Sequence, residues 1–405
     1  MEPKRILLII PYGGVGGMER LALTFYNYYK QKGYTVKALK LIKLETDIIN
    51  FGEDELFLKD YDLHRMPITK RFLFYLSAPL SIRKIVKREK ITHSICFGDM
   101  SNLFSSLSFT KEFKVGSIHS FKSVEFQDKN ILNKIFKWSY RSTYRNLDKV
   151  VCISNTIKED LIENCAFKFT DKLEVIYNPH DIEAIQKGAG SPFDSEEEQE
   201  LFSQNIILFL GRLSYAKSPW HLLKAFHILA QRQADVKLVF IGDGEPPIIE
   251  YVKKLIDTFN IADRVVLLGR KSNPYRYLAK AKVLALSSHF EGTPNVIVEA
   301  IALDVPVVTS LCTKGVFELM SMNGEVNEEG NIEVESGIIT PALFKGKLGI
   351  PEKDDLLKEE YDLADALEQV LASDKYKNTL VTAKEALLEK FDLDKVTTSY
   401  LTPIN

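Results

Sequence analysis

Cysteine is scarce in this chain, and its sequence lacks long apolar segments. The 405 residues include Cys96, Cys152, Cys165 and Cys312, which are scattered, with no close pair and no metal-ligand spacing. We therefore expect free thiols in a reducing cytosol and no disulfide framework. The first apolar run, residues 6–10, leads straight into a glycine-rich turn and indicates a first strand instead of a signal peptide. No run reaches transmembrane length, so the sequence predicts a cytoplasmic protein.

Signatures of metal and dinucleotide binding are lacking as well. No group of His, Cys and Asp has ligand spacing, which predicts a site that needs neither a metal nor another cofactor. Residues 13–17 are rich in glycine, but Glu19 stands where a dinucleotide fingerprint needs its third glycine, and no acid closes the second strand before Glu45. A nicotinamide enzyme is therefore disfavoured. Gly16 and Gly17 still allow backbone to approach a phosphate or a sugar closely.

The order of predicted elements indicates an α/β protein with two domains. Strand-like and helix-like segments alternate, which is typical of parallel sheets flanked by helices. A chain of 405 residues is also too long for one ordinary core. Residues 178–205 are rich in glycine, serine and acid and lack an apolar period, so we place the hinge there. The predicted domains are residues 1–180 and 200–385, followed by a last helix within residues 386–405.

Two carboxylates flank a predicted helix start in the segment FEGTPNVIVEA. Glu291 follows a predicted strand at residues 282–287, and Glu299 lies about two turns further along. With Thr293 as N-cap and Pro294 as first helical residue, the amides of the first turn are predicted to bind an anion such as a diphosphate. The two acids would then reach hydroxyl groups on either side of it, one of a sugar and one of a ribose. The alternative is that both are solvated surface glutamates.

Further polar residues follow other predicted strands of the second half. Arg212 and Lys217 lie in the loop after one strand, and Gly269 and Arg270 come after another. A guanidinium fork and an ammonium group suit two adjacent phosphates. The alternative for these residues is a solvated basic loop. Because ligands of open parallel sheets bind beyond the carboxyl ends of the strands, the repeated placement predicts a single site.

These motifs occur in the order and spacing of a known family. The segments GRL with Lys217, IGDGE, LLGR, FEGTPNVIVEA and ALDVPVVTS resemble the C-terminal domain of retaining GT-B glycosyltransferases of family 4, the glycosyl transferases group 1. PYGGVGGMER, the strand ending at His119, VVCISN and VIYNPHD extend the resemblance over nearly the whole chain. It implies an α/β GT-B fold, in which two Rossmann-like parallel-sheet domains face a central cleft. The first would bind the acceptor and the second the nucleotide sugar, and the last helix would cross back to the first.

The resemblance implies how the donor phosphates are held. Arg212 and Lys217 would bind the donor diphosphate, together with the glycine-rich loop at Gly16 and Gly17. Backbone groups at the helix start would contact the donor sugar and its phosphate. These backbone positions are Gly292, Thr293, Asn295 and Val296.

The resemblance also implies the remaining roles. Glu291 and His119 would be the catalytic residues that orient the transferred sugar. Glu299 would bind the ribose, and Gly269 and Arg270 would lie near the base. For His119 the alternative is a structural histidine whose ring is satisfied by backbone groups.

Charge is distributed unevenly along a chain whose net charge is −2. Residues 1–180 hold 29 Lys and Arg against 20 Asp and Glu, whereas the remainder holds 24 against 35. Basic and aromatic residues mix in residues 64–90 and 129–145, which favours contact with an anionic membrane surface. The alternative is an apolar core with solvated charges, because Pro67 and Pro79 would interrupt a long amphipathic helix. Nucleic acid is disfavoured, since no recognition motif accompanies the charge.

The motifs and the resemblance together predict a retaining hexosyl- or N-acetylhexosaminyltransferase of polysaccharide biosynthesis. The donor would be a nucleoside diphosphate sugar, a UDP-sugar in preference to a GDP- or ADP-sugar. The acceptor would be a lipid-linked or cell-surface glycan intermediate, met by a peripheral protein at the inner face of the cell membrane. Two alternatives stay open: another GT-B enzyme, such as a nucleotide-sugar epimerase or a phosphorylase, and a non-catalytic module that binds a nucleotide sugar or a membrane.

Overall fold

The chain folds into two α/β units. The computed structural model describes residues 4–14, 17–62, 65–128, 130–291, 293–324, 329–346 and 349–404. Unit 1 comprises the described residues up to Pro179 together with those from Leu393 onward, and unit 2 runs from His180 to Asp392. Within the described ranges, each unit has a sheet of seven strands flanked by helices. The α/β fold with two parallel-sheet domains is therefore confirmed.

Unit 1 is built on a parallel sheet. Its strands are β1 Arg5–Ile10, β2 Thr35–Ile42, β3 Glu55–Lys59, β4 His93–Phe97, β5 Phe113–Ile118, β6 Lys149–Cys152 and β7 Leu173–Val175. They lie in the order β3-β2-β1-β4-β5-β6-β7. The helices between them are α1 Gly17–Gln31, α2 Ile68–Arg88, α3 Asp99–Ser106, α4 Lys122–Glu125, α5 Ile131–Ser139 and α6 Asn155–Glu163. Strand β1 is a continuous apolar run because helices cover both faces of the sheet.

Helix α2 continues through a proline. The sequence predicts that Pro67 and Pro79 interrupt a long helix, and Pro67 is indeed the N-cap, but Pro79 lies inside a helix of 21 residues. The predicted interruption at Pro79 is therefore wrong. Phe74, Ile82 and Val86 are buried against the sheet on both sides of the buried proline, so packing maintains the helix despite one missing amide donor. In the described part of the chain, no helix is both long and apolar enough to span a membrane.

Unit 2 has a mostly parallel sheet. Its strands are β8 Asn205–Leu210, β9 Val236–Ile241, β10 Val265–Leu267, β11 Val283–Leu286, β12 Val307–Ser310, β13 Ile332–Val334 and β14 Gly337–Thr340. They lie in the order β10-β9-β8-β11-β12-β14-β13, and β13 pairs antiparallel with β14. The helices are α7 Ile182–Ala189, α8 Glu196–Leu201, α9 Pro219–Ala230, α10 Pro246–Thr258, α11 Tyr275–Leu278, α12 Asn295–Ala302, α13 Gly315–Met320, α14 Lys358–Ala372 and α15 Lys375–Leu388.

The segment at residues 178–205, in which the sequence analysis places the hinge, contains two helices although it lacks a clear apolar period. It contains α7 and α8, and it belongs to unit 2 from His180 onward. The Asp181 carboxylate accepts a hydrogen bond from the Ala184 amide at 2.9 Å, and the Ser195 hydroxyl caps α8. The serine and acidic residues that suggest a linker are helix N-caps and first-turn residues, where they complement the helix dipole.

The last helix, α16 Leu393–Ser399, is part of unit 1. The Tyr29 hydroxyl donates a hydrogen bond to the Thr397 carbonyl at 2.7 Å. The Tyr400 ring packs edge-on against Phe25, with 4.8 Å between the ring centroids. The end of the chain therefore supplies part of the core that lies between α1 and the first sheet.

Candidate functional site

The loops after three neighbouring strands of unit 2 are joined by backbone hydrogen bonds at the carboxyl edge of the sheet. The Gly211 amide donates a hydrogen bond to the Ile241 carbonyl, and the Gly242 amide donates one to the Gly269 carbonyl, each at 2.9 Å. A Cβ atom on Gly242 would lie 2.0 Å from the Gly211 carbonyl oxygen, so this close approach requires glycine. The loops that carry the predicted phosphate and base residues are therefore direct neighbours.

Lys217 and Glu291 form an ion pair at this edge. The Ser288 hydroxyl donates a hydrogen bond to the same Glu291 oxygen at 2.9 Å. The side chains of Lys217 and Glu291 are 20% and 14% exposed, respectively, so a ligand in the solvent can reach both. The structure thus brings together two residues that the sequence places in different motifs, and the ammonium group of Lys217 is available to an anion that displaces the carboxylate.

The loops that carry this ion pair are tied to each other. The His289 amide donates a hydrogen bond to the Ala216 carbonyl at 2.8 Å, and the Ser287 hydroxyl donates one to the Ser218 carbonyl at 3.0 Å. Ser218 adopts a left-handed conformation with φ of 43° just before α9 begins. These contacts fix the backbone on both sides of Lys217 relative to the residues that precede Glu291.

Arg212 and Arg270 project into solvent near the same edge. Each side chain is 71% exposed, and the contacts of Arg212 with Glu245 and of Arg270 with Asp243 are 3.9 Å long. Exposed ion pairs of this length contribute little to stability. Both guanidinium groups can therefore turn toward a bound anion at little cost.

Helix α12 begins one residue later than the sequence predicts. Its N-cap is Pro294, whose side chain cannot accept a hydrogen bond, and Asn295 is its first residue. The assignment of Thr293 as N-cap is therefore wrong, because the turn before the helix is one residue longer. Thr293 is half-buried, Asn295 is exposed and Val296 is buried. Gly292, predicted to contact the sugar, lies outside the described residues.

Two further residues of unit 2 lie on or against α12. Glu299, predicted to bind a ribose, is half-buried on this helix. His180 forms a side-chain hydrogen bond with Asn295, and burial lowers the pKa of His180 to about 4. His180 is therefore neutral at pH 7 and helps to fix the first residue of α12.

His119 belongs to unit 1, where it follows β5. Its Nε2 atom lies 2.7 Å from the Ser117 hydroxyl, and its ring stacks on Phe97 at 6.1 Å. Burial and, to a smaller extent, the nearby Lys122 ammonium lower the pKa of His119 to about 3, although Asp99 opposes this shift. The imidazole is therefore neutral at physiological pH and can donate one hydrogen bond and accept another.

The glycine-rich loop also belongs to unit 1. Gly17 is the first residue of α1, whereas Gly16 lies outside the described residues. The Gly13 amide donates a hydrogen bond to an Asp47 carboxylate oxygen at 3.0 Å, and Asp47 is paired with the buried Lys40 at 3.1 Å. The start of the loop is therefore held by a buried charge cluster.

A buried polar cluster that is not among the residues predicted from the sequence lies close to the ion pair. His221 Nδ1 lies 2.6 Å from a Glu360 carboxylate oxygen, and His221 Nε2 lies 2.8 Å from His289 Nε2. Sequence position gives one signal, because His221 and His289 each lie a few residues from a predicted site residue. Across the described ranges, no group of three or more His, Cys, Asp or Glu side chains is arranged to hold a metal ion.

Two family models match the chain. The model for Glycosyltransferase Family 4 matches residues 15–184, and the model for Glycosyl transferases group 1 matches residues 192–336. Together the two matches cover more than half of the chain.

Curated relatives are similar over large parts of the chain. An uncharacterized glycosyltransferase of Methanocaldococcus jannaschii is 25% identical over 339 residues, which is 79% of this chain and 81% of that protein. An N-acetylgalactosamine-N,N'-diacetylbacillosaminyl-diphospho-undecaprenol 4-alpha-N-acetylgalactosaminyltransferase of Campylobacter jejuni is 30% identical over 236 residues. This match covers 58% of this chain and 60% of that enzyme.

Solved structures share the fold over nearly the full length. A glycosyltransferase from Rickettsia africae superposes with a TM-score of 0.73 at 18% identity, covering 99% of this chain and 97% of that one. HepE from Anabaena, solved in complex with UDP and glucose, gives a TM-score of 0.68 at 16% identity, covering 98% of each chain. The similarity to these solved structures shows the GT-B fold. Because the two family models together match more than half of the chain, it belongs to the glycosyltransferases of family 4 and group 1.

Proposed function

We propose that this glycosyltransferase moves a hexosyl or N-acetylhexosaminyl group from a UDP-sugar to a hydroxyl group of a lipid-linked or cell-surface glycan intermediate, with retention of anomeric configuration. The observation that carries the proposal is the solvent-accessible ion pair of Lys217 and Glu291, on loops at the carboxyl edge of the second sheet. This is the edge at which open parallel sheets bind nucleotides.

Charge develops on the diphosphate as the bond from the sugar to the phosphate breaks. Lys217 and Arg212 are the cations of the site that would meet this charge, and the amides at the start of α12, including those of Asn295 and Val296, would add their partial positive charge. Preorganised groups of this kind stabilise a transition state because they need no reorganisation during the reaction. Gly17, with Gly16, would approach the same diphosphate through the backbone.

Glu291 and His119 are proposed to orient the transferred sugar. The Glu291 carboxylate can accept hydrogen bonds from sugar hydroxyl groups once a phosphate binds Lys217. A neutral His119 offers both a donor and an acceptor. With retention, the acceptor hydroxyl attacks the face from which the phosphate departs, and the leaving phosphate oxygen takes the proton of that hydroxyl.

The remaining donor contacts follow from the neighbouring loops. Glu299 would bind the ribose hydroxyl groups, and the Gly269–Arg270 loop would lie against the base. Because Lys217 and Arg212 can supply the positive charge that a diphosphate requires, we propose that the reaction is independent of metal ions. The complex of HepE with UDP supports a uridine donor.

The proposed acceptor is membrane-linked, because unit 1 exposes apolar side chains beside basic ones. On α2, four apolar residues spaced by four, Ile68, Phe72, Leu76 and Leu80, are each more than half exposed. On α5, exposed Ile131 and Trp138 accompany the two lysines of the helix, Lys134 and Lys137. Such helix faces suit the interface of an anionic bilayer. The similarity to a transferase that acts on a diphospho-undecaprenol glycan supports a lipid-linked acceptor. We further propose that the protein acts at the inner face of the cell membrane.

Nucleotide binding tests the donor site directly. We would measure the melting temperature of the purified protein with UDP, GDP, ADP and NAD, each with and without EDTA, because a ligand of the native state raises apparent stability. We expect a shift with UDP that EDTA does not change. The Lys217→Gln variant should lose this shift, whereas Lys375→Gln, which breaks an exposed ion pair with Glu333, should keep it. A shift with NAD alone, or with none of the ligands, would refute the proposal.

Vesicle binding tests the acceptor side. Flotation with vesicles of equimolar phosphatidylcholine and phosphatidylglycerol should retain the wild-type protein, and vesicles of phosphatidylcholine alone should retain less. Leu76→Glu should weaken binding about tenfold, because one inserted apolar side chain contributes about 1.5 kcal/mol. Val381→Glu alters an equally exposed apolar residue of unit 2 and serves as the matched control. Equal binding of all three proteins would contradict the membrane-linked acceptor.

A further inference from the structure

A chain of three buried polar side chains lies behind the ion pair of Lys217 and Glu291. Glu360 of α14 is fully buried, and one of its carboxylate oxygens lies 2.6 Å from His221 Nδ1. His221 Nε2 in turn lies 2.8 Å from His289 Nε2. Both histidines are almost completely buried. We call the chain of Glu360, His221 and His289 the histidine relay.

The proton positions in the histidine relay follow from the contacts. An ionised carboxylate can only accept, so His221 must donate from Nδ1 to Glu360. A neutral His221 then has a lone pair on Nε2, and the contact between the two Nε2 atoms requires His289 to carry its proton on Nε2. Among the described residues, His289 Nδ1 has no hydrogen-bond partner, which fits an unprotonated nitrogen better than a buried donor.

Charge balance supports two neutral rings. The Lys224 ammonium lies 3.8 Å from the Glu360 carboxylate and donates a hydrogen bond to the Asp355 carbonyl at 2.8 Å. The buried carboxylate is therefore already matched by a buried cation. Burial and, to a smaller extent, the neighbouring His221 lower the pKa of His289 to about 4. A proton added to the histidine relay would be an extra buried charge.

The histidine relay connects the two loops that carry the ion pair. His289 lies two residues before Glu291, and its amide donates to the carbonyl of Ala216, the residue before Lys217. His221 lies in the first turn of α9, which begins two residues after Lys217. The contact between the rings therefore joins the segment that carries Glu291 to the segment that carries Lys217, and Glu360 anchors both to α14.

We infer that His221 and His289 are positioning residues that hold Lys217 and Glu291 in the geometry needed for glycosyl transfer. The inference rests on the proposed function, because it assigns these histidines to the same site. Neither ring touches the substrate in this scheme. Its effect on the rate is indirect, and a displacement of about 1 Å at reacting groups can cost about 10²-fold.

Two substitutions of His289 with side chains of similar size distinguish a positioning role of its hydrogen bond from a packing role of its ring. In His289→Gln, the side-chain amide can still donate to His221 Nε2, whereas His289→Leu has a similar size but no donor. We expect the leucine variant to lose about 10²-fold in kcat with a UDP-sugar donor, and the glutamine variant to stay within about threefold of the wild type. Equal rates for the two variants would overturn the inference, provided both melt as cooperatively as the wild type.

Spectroscopy of the wild-type protein tests the proton positions without any ligand. In protein labelled with 15N-histidine, at pH 7, His221 should carry its proton on Nδ1 and His289 on Nε2. His221→Asn and His289→Gln identify the two sets of signals by their loss. The opposite tautomers, or a protonated ring at pH 7, would contradict the histidine relay.

A double-variant comparison of urea stability distinguishes failure of the inference from failure of the proposed function. If the wild type neither binds UDP nor transfers a sugar, the proposed function fails, but the link between the loops can still be measured. The losses in urea midpoint for His289→Leu and Lys217→Gln should then not add in the double variant, because the contact of His289 with His221 and the ion pair of Lys217 with Glu291 join the same two segments. Additive losses would overturn the inference. If instead transfer occurs and His289→Leu retains its full rate, only the inference fails.

Discussion

Replacing Glu291 with glutamine separates binding from turnover. The substitution removes the ion pair with Lys217 but preserves the side-chain shape, and Ser288 can still donate to the amide oxygen. Two effects of opposite sign follow. The Lys217 ammonium no longer has a competing carboxylate, so a diphosphate should bind more tightly. The transferred sugar loses a charged acceptor for its hydroxyl groups, so turnover should fall.

The structure sets the size of each effect. A charge-assisted hydrogen bond is worth about 1.5–3 kcal/mol when removed from a protein, and the partial exposure of this pair reduces that to about 1 kcal/mol. UDP should therefore bind about fivefold more tightly. Loss of one preorganised charged group in a transition state costs about 10²–10³ in kcat. The free energy of unfolding should change by no more than about 1 kcal/mol, because the side chains of Lys217 and Glu291 both contact solvent.

Isothermal titration with UDP and initial rates with a UDP-sugar would measure both effects. Glu333→Gln is a close control, because Glu333 also pairs with a lysine, Lys375, at 2.5 Å and also accepts a hydroxyl hydrogen bond, from Tyr376 at 2.8 Å. It should change neither UDP affinity nor rate. The reasoning would be refuted if Glu291→Gln kept the wild-type rate, or if it bound UDP more weakly than the control.

Three further predictions concern unit 1. Lys40→Met should lower the free energy of unfolding by about 3 kcal/mol in urea titrations, because buried Lys40 pairs with Asp47 and Glu55, and its loss would leave the buried Asp47 carboxylate without this cation while Glu55 keeps its pair with Lys43; an unchanged midpoint would contradict this. The pKa of His119 is about 3 in the fold against an ordinary 6.5, so stability should fall as pH drops from 6.5 toward 3, and His119→Gln should flatten that fall. Burial raises the pKa of Asp54, but hydrogen bonds from two lysines and a tyrosine outweigh this effect and lower the pKa to about 2 from 3.8. The ionised carboxylate therefore stabilises the fold above pH 4, and this stabilisation is lost as the pH falls toward 2. In acid-unfolding curves, Asp54→Asn should remove this pH-dependent loss of stability.

Much of the fold could be predicted because inner strands of parallel sheets are continuous apolar runs. The strands predicted at residues 6–10 and 282–287 correspond to β1 Arg5–Ile10 and β11 Val283–Leu286. Errors arose where a local rule competed with burial. By local geometry a proline such as Pro79 disrupts a helix, yet α2 continues through it because this part of the helix is packed in the core. The acidic, serine-rich segment at residues 178–205 has the composition of a linker, yet its polar residues cap helices.

The site could be predicted residue by residue but not as contacts. Lys217 and Glu291 stood out because each follows a strand of a parallel sheet, and such residues converge at one edge. That they pair with each other depends on loop conformations, among them the left-handed Ser218, which no local pattern specifies. Apart from their positions near predicted site residues, no sequence feature distinguishes His221 and His289. A buried histidine cannot be told from other core residues by sequence until its hydrogen-bond partner is known.

The return of the last helix to unit 1 has a consequence for synthesis of the chain. Val396 and Tyr400 belong to the core of unit 1, and the buried Lys149 ammonium donates to the Ser399 carbonyl at 2.9 Å. Unit 2 is continuous in sequence, whereas unit 1 is incomplete until the segment that begins at Leu393 has left the ribosome. Synthesis of the first part of unit 1 therefore precedes unit 2, but its core is completed only after unit 2 has been made, and until then it exposes the apolar surface that α16 will cover.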